Sequence, residues 1–178
     1  MPEVERTFDP MRLTEFVSKA FAKVGLPDDQ AAIAAQFVVA TDLRGIDSHG
    51  LPRLAQLYIR GLREGRINPR PAIKTVSQTP ATATIDGDRG LGFVIGHYAM
   101  TEAMRRADLA GAGFVAVRNS THFGAGGNYS MMALSRDMVG IALTKGPKEA
   151  LVPGSLGRGG FINVISIAAP AGTGAPFE

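Results

Sequence analysis

Four residue types gather in the segment DLRGIDSHGLPRL, residues 42–54, which places Asp47, Ser48, His49 and Arg53 within seven positions. An imidazole exchanges a proton near neutral pH. A guanidinium grips a carboxylate through two parallel hydrogen bonds. If the chain after Gly50 is helical, His49 lies at the N-terminal end of that helix and Arg53 about one turn in, so both address one anion. That pairing suits a small acid as substrate. The alternative is structural: Asp47 or Ser48 caps the helix, His49 is solvated and Arg53 joins a surface ion pair.

A second histidine, His122, sits in VRNSTHFGAGGNYS directly after an expected strand. The C-terminal ends of strands are where α/β folds place their sites. The glycines after it, Gly124, Gly126 and Gly127, do not have the G-x-G-x-x-G spacing, so a Rossmann fingerprint is absent. They either let a ligand approach the backbone beside His122 or simply allow a tight turn. Lys145 closes GIALTKG at another strand end, where an ammonium holds a cofactor phosphate or ribose, assists proton transfer, or is merely solvated. His97 falls within an expected helix and reads as structural. GDRGLG, residues 87–92, reads as a strand-to-helix connection rather than a phosphate loop.

The elements that must position these groups are set by apolar spacing. Leu13, Phe16, Val17, Ala20, Phe21 and Val24 recur at helical intervals after Asp9-Pro10, with Gly25 and Pro27 as stops. A second helix is expected from the acids after Pro27 to Gly45, and a third over LPRLAQLYIRGLREG with Leu54, Leu57, Tyr58 and Leu62 on one face. Beyond residue 75 the pattern changes: TATIDG alternates as a strand, GHYAMTEAMRRADLAG is a helix ending at Gly111, and GFVAVRNS is a buried strand. MVGIALTKG and FINVISIAAPAG add two strands around the glycine-rich GPKEALVPGSLGRGG. The expected architecture is an α/β fold: a helical region over 1–75, then an α/β region with a mixed sheet over 76–178. The tail APAGTGAPFE comes after an apolar strand without a cap or final packed element, so the fold is expected to be incomplete at its C-terminus.

Composition narrows the classes of function. The net charge of +3 is spread along the chain, with no basic run longer than Arg105-Arg106, so no footprint for nucleic acid is expected despite a pI near 9.5. The absence of cysteine rules out disulfides, thiolate metal sites and a cysteine nucleophile, and suits a cytoplasmic protein. Redox chemistry then requires a borrowed cofactor. The N-terminus has no signal-peptide pattern, and no stretch approaches the ~18 apolar residues of a spanning helix, so no membrane association is expected.

DLRGIDSHGLPRL, GLREGRINPRP, TATIDGDRGLG, VAVRNSTHFGAGGNYSMMA and GIALTK, in that order, resemble the malate/L-lactate dehydrogenase family, which also includes ureidoglycolate, sulfolactate and diketogulonate-type enzymes and cyclic imino-acid reductases. The resemblance runs from about Phe8 to Gly146. It implies an NAD- or NADP-dependent oxidoreductase with a non-Rossmann cofactor fold, acting as a homodimer on a small 2-hydroxy or 2-oxo acid. In its terms His49 matches a proton donor with Ser48 beside it, Arg53 the carboxylate clamp, His122 a proton acceptor and Lys145 a lysine that contacts the nicotinamide cofactor. No metal is implied. His49, Arg53, His122 and Lys145 are expected to converge on one cleft. After Lys145 the chain departs from the family pattern: GPKEALVPGSLGRGGFINV lacks tryptophan and has Ile162-Asn163-Val164 in place of T-N-P. Family members also continue past APAGTGAPFE into segments that complete the cofactor site. The chain is accordingly expected to be a piece of a longer enzyme or a truncated relative, the latter an inactive remnant or an oligomerisation or binding module.

Overall fold

A computed structural model describes residues 7–146 and 163–178. The connection expected over 147–162 lies outside the described residues. By its internal contacts the chain forms two units, one ending at Ala125 and one beginning at Gly126.

The first unit starts with helix α1, Pro10–Ala22. Asp9 accepts a hydrogen bond from the Arg12 amide at 2.8 Å, and Pro10 occupies the first turn, where its missing N–H costs nothing. Such a cap contributes about 1 kcal/mol. Helix α2, Asp28–Leu43, carries Asp28 and Asp29 in its first turn, where they meet the positive end of the helix dipole. The two helices bury Val17, Phe21, Ala31, Ala34, Ala35 and Val38 completely. Small alanines on α2 let its backbone come close to α1.

The third expected helix is broken. Asp47–His49 and Leu51–Arg53 are separate 3₁₀ turns, Leu54–Ile59 is a π-helical turn, and only Arg60–Arg63, helix α3, is α-helical. Pro52 lies in the first turn, where its missing N–H costs nothing, and so does not account for the break; Gly50, at φ −95°, ψ −139°, is far from helical and separates the two 3₁₀ turns. The expected inward face nevertheless forms: Leu54, Tyr58 and Leu62 are buried, with Leu57 partly so.

Strand β1, Lys74–Gln78, pairs antiparallel with β2, Thr82–Asp86, and β2 pairs parallel with β3, Phe114–Arg118, giving a mixed three-stranded sheet in the order β1-β2-β3. Helix α4, Gly92–Ala110, makes the crossover and ends at Gly111 with φ +77°. Residues 87–92 connect β2 to α4, as their turn chemistry indicates. Phe93 of α4 packs edge-on against Phe37 of α2 at 6.4 Å, and His97 lies 6.0 Å from the same ring, half-buried and structural as its helical position suggests. These contacts tie the βαβ segment to the helices; the composition changes near residue 75, but the first compact unit runs on to Ala125. β3, expected to be buried because of its apolar run, is largely exposed, with Phe114 at 66%. It is an edge strand, so only one neighbour covers it.

The second unit holds helix α5, Gly127–Ser130, a 3₁₀ turn over Met131–Arg136, and strands β4, Gly140–Lys145, and β5, Asn163–Ala168, paired antiparallel. Ala142 and Ala168 face inward with Tyr129 and Ala133. Gly140 is required by space: a Cβ there would sit 2.0 Å from the Ser130 carbonyl oxygen. The tail folds back through an isolated bridge between Ala169 and Phe177, a closing contact its composition does not announce.

Candidate active site

The site is built from two short segments of the first unit. The 3₁₀ turn after α2 presents His49, whose Nδ1 lies 2.9 Å from Ser48 Oγ. Arg53 reaches back and donates from Nε to the Ser48 carbonyl oxygen at 2.9 Å, which fixes the guanidinium beside the turn. Its two terminal nitrogens make no hydrogen bond or ion pair with another described residue, and the side chain is exposed. The fork is thus available for a carboxylate. Neither Asp47 nor Ser48 caps the turn that begins at Leu51. That role falls to Asp42, nine positions earlier, whose Oδ2 accepts from the Leu51 amide at 2.8 Å. A Cβ on Gly50 would meet Asp42 Oδ1 at 2.0 Å, so that carboxylate would have to shift to admit one. Burial first, and then the nearby Asp47 charge, push the Asp42 carboxyl above its ordinary value, against the lowering effect of the Leu51 hydrogen bond.

The second segment is the loop after β3. Thr121 latches it to the β2–α4 turn: its Oγ1 accepts from the Gly92 amide and donates to the Gly90 carbonyl, both at 3.0 Å. Arg89 N donates to Asn119 O at 2.8 Å and Gly87 N to Arg118 O at 3.0 Å, so the two loops are stitched along their backbones. Asp86 anchors the stitch, accepting from Asn119 Nδ2, the Asp88 amide and Arg118, which together hold its carboxyl below the usual range. The glycines serve this packing. A Cβ on Gly92 would stand 2.3 Å from the His122 carbonyl oxygen, and one on Gly124, at φ +74°, would stand 2.4 Å from the Phe93 ring. Close approach of the protein to itself accounts for these two glycines, without any ligand at the backbone.

The two segments meet ring to ring. His49 and His122 stack with centroids 5.5 Å apart and planes 23° from parallel. Behind them Tyr58, fully buried in the π-helical turn, directs its hydroxyl at His122 Nδ1 over 2.9 Å and packs on Phe93 at 4.9 Å. The Gly124 amide also donates to His122 Nδ1, at 3.2 Å. Burial pushes the Tyr58 phenol well above its usual range. The protein packed around the His122 ring, and then the positive charges of His49 and Arg53, lower its pKa, although the residue keeps an exposed surface.

The structure therefore brings His49, Ser48, Arg53 and His122 together. Lys145 stands exposed at the end of β4 in the second unit. Residue-type reasoning misses Asp42, Tyr58 and Thr121. Periodicity assigns Tyr58 only to an apolar face; a phenol buried completely on such a face, needing a partner for its hydroxyl, is the signal that points to it. Among the described residues no group of three or more His, Asp or Glu side chains is placed to hold a metal ion.

The family model described as malate/L-lactate dehydrogenase matches residues 8–178. The chain belongs to the malate/L-lactate dehydrogenase family. It is similar to the L-sulfolactate dehydrogenase of Methanocaldococcus jannaschii, 46% identical over 144 residues, covering 81% of this chain and 41% of the relative. The malate dehydrogenase of Pyrococcus abyssi is 41% identical over 165 residues, covering 93% of this chain and 45% of the relative. Among solved structures, the malate dehydrogenase of Pyrococcus horikoshii matches with a TM-score of 0.88 and 37% identity, over 97% of this chain and 49% of that one. This family member thus spans about half the length of the relatives it matches. Among its described residues no helix is long and apolar enough to cross a membrane.

Proposed function

We propose that this site belongs to an NAD- or NADP-dependent dehydrogenase acting on a small 2-hydroxy or 2-oxo acid. The observation that carries the reading is the stacked His49–His122 pair with the Arg53 fork beside it, in a chain of this family. A 2-oxo acid offers a carboxylate for Arg53 and a neighbouring C2 oxygen for an imidazole. Reduction adds hydride to C2 and a proton to its oxygen, and a nicotinamide supplies the hydride. The chain's own groups do the rest: Arg53 binds and orients the acid, and the histidines hold or move the proton on oxygen. Lys145, an exposed ammonium at a strand end, has the chemistry to hold a phosphate or ribose of the nucleotide. We assign the enzyme to the cytoplasm as a homodimer, which sedimentation at micromolar concentration checks.

The test is consumption of NADH or NADPH with a panel of small 2-oxo acids, in wild type and His122→Ala. Turnover in wild type that falls sharply in the variant supports the reading; equal rates would refute the site. Binding of NADH without turnover by the wild type would instead support a binding module, the alternative that the half-length match to its relatives raises.

A further inference from the structure

Two histidines stack in the site, and their partners differ in one respect that decides their chemistry. Ser48 Oγ, the partner of His49 Nδ1, can accept a hydrogen bond, so His49 can keep a proton on Nδ1 while its Nε2 gains and loses one. The partners of His122 Nδ1 do not allow this freedom. A backbone amide only donates, and the Gly124 N–H points at Nδ1. A proton on Nδ1 would face it head-on. The Tyr58 hydroxyl, with its oxygen otherwise enclosed by the core, supplies a second donor to the same atom.

We infer that Tyr58 and the Gly124 amide hold His122 as the neutral ring with its proton on Nε2, so that His122 is a fixed hydrogen-bond donor, leaving proton exchange to His49, the role the family resemblance already gives it. The inference rests on the dehydrogenase reading for its substrate, and on geometry alone for the state of the ring. In the reducing direction, as an electron pair collects on the C2 oxygen, Nε2–H of His122 donates a hydrogen bond to it without leaving the ring. The imidazolium of His49 gives its proton to that oxygen and ends neutral. In the oxidising direction neutral His49 takes the hydroxyl proton as the C–H electron pair departs. A neutral imidazole used as a donor has precedent where the ring's pKa is lowered by its surroundings.

A relay through Tyr58 is disfavoured. It would require the phenol to give up its proton to Nδ1, leaving a phenolate in the core beside Phe93. The charged groups facing His122 are His49 and Arg53, both on the 3₁₀ turns, and both oppose a second positive charge on the ring.

Nitrogen-15 spectra of the histidine side chains in the intact protein, without substrate or nucleotide, test the assignment. The expected result is an unprotonated Nδ1 and a protonated Nε2 on His122, unchanged from pH 8 to below the ordinary imidazole value of 6.5. In Tyr58→Phe, which removes the stronger donor, His122 gains a proton at higher pH than in wild type. A wild-type His122 carrying its proton on Nδ1, or doubly protonated at neutral pH, overturns the assignment even if the variant does not fold. So does a folded Tyr58→Phe protein whose His122 signals are unmoved. Because the spectra need no turnover, an inactive protein with the expected spectra would count against the dehydrogenase reading and not against the state of His122.

Discussion

The two segments that carry the histidines are held in opposite ways. His122 sits on a loop stitched to its neighbour by backbone hydrogen bonds, the Thr121 latch and glycines that leave no room for a Cβ. His49 sits on a short 3₁₀ turn that follows two backbone hydrogen bonds to the end of α2, from Gly45 and Ile46, and is tethered further by two side chains, Asp42, which accepts from Leu51 of the next turn, and Arg53, which donates to Ser48. Backbone stitching fixes a position closely because it leaves few torsions to relax. Side-chain tethers tolerate movement. The proposed roles, a fixed donor for His122 and a proton carrier for His49, make these different demands on their supports.

The glycines carry the largest expected difference between the two segments. Gly92→Ala drives a methyl into the His122 carbonyl, an obstacle made of backbone, and is expected to cost about 3 kcal/mol. Gly50→Ala meets the Asp42 carboxylate, the end of a flexible side chain, and is expected to cost only about 1 kcal/mol. Urea midpoints of the two variants decide: equal losses would mean that the two turns are equally rigid.

Arg53→Gln tests the more loosely held turn through its proposed substrate contact. It removes a charged fork from the adaptable turn and is expected to lower kcat/KM by about 2 kcal/mol, roughly thirtyfold, mainly through KM. A loss confined to kcat would indicate that Arg53 serves the transition state rather than the carboxylate.

The smallest effect is on stability against pH. His122 has a folded pKa below the ordinary 6.5, so folding favours its neutral form. Its contribution is fully present above pH 6.5 and is lost as pH falls through the folded value. Asp42 acts in the other sense, since its raised folded pKa makes ionisation unfavourable to the fold as pH rises. The difference in unfolding midpoint between wild type and His122→Gln isolates the histidine: it should shrink below pH 6.5, and a constant difference would contradict the lowered pKa.

Much of this arrangement is legible in residue order, and the parts that are not share a cause. Helices α1 and α2 can be read from apolar spacing and end signals because their cores are local. β1 gives no signal because all five of its residues are exposed, leaving no alternation to read. β3 reads as buried because Phe114, Val115 and Val117 are apolar, but burial of an edge strand depends on what covers it. The break of the third helix is hidden because Leu54, Tyr58 and Leu62 keep a helical period across the π-helical turn. His49, Arg53 and His122 can be named from their types. The roles of Asp42, Tyr58 and Thr121 depend on partners 9, 64 and 29 positions away, distances over which periodicity carries no information.

The division of labour between the histidines is tested most directly by the kcat/KM for 2-oxo acid reduction in His49→Gln and His122→Gln, each against wild type. A glutamine amide donates a hydrogen bond but cannot exchange a proton. His122→Gln is expected to keep most of the rate, whereas His49→Gln falls by about 10²- to 10⁴-fold. Equal losses in the two variants, or a larger loss in His122→Gln, would contradict it.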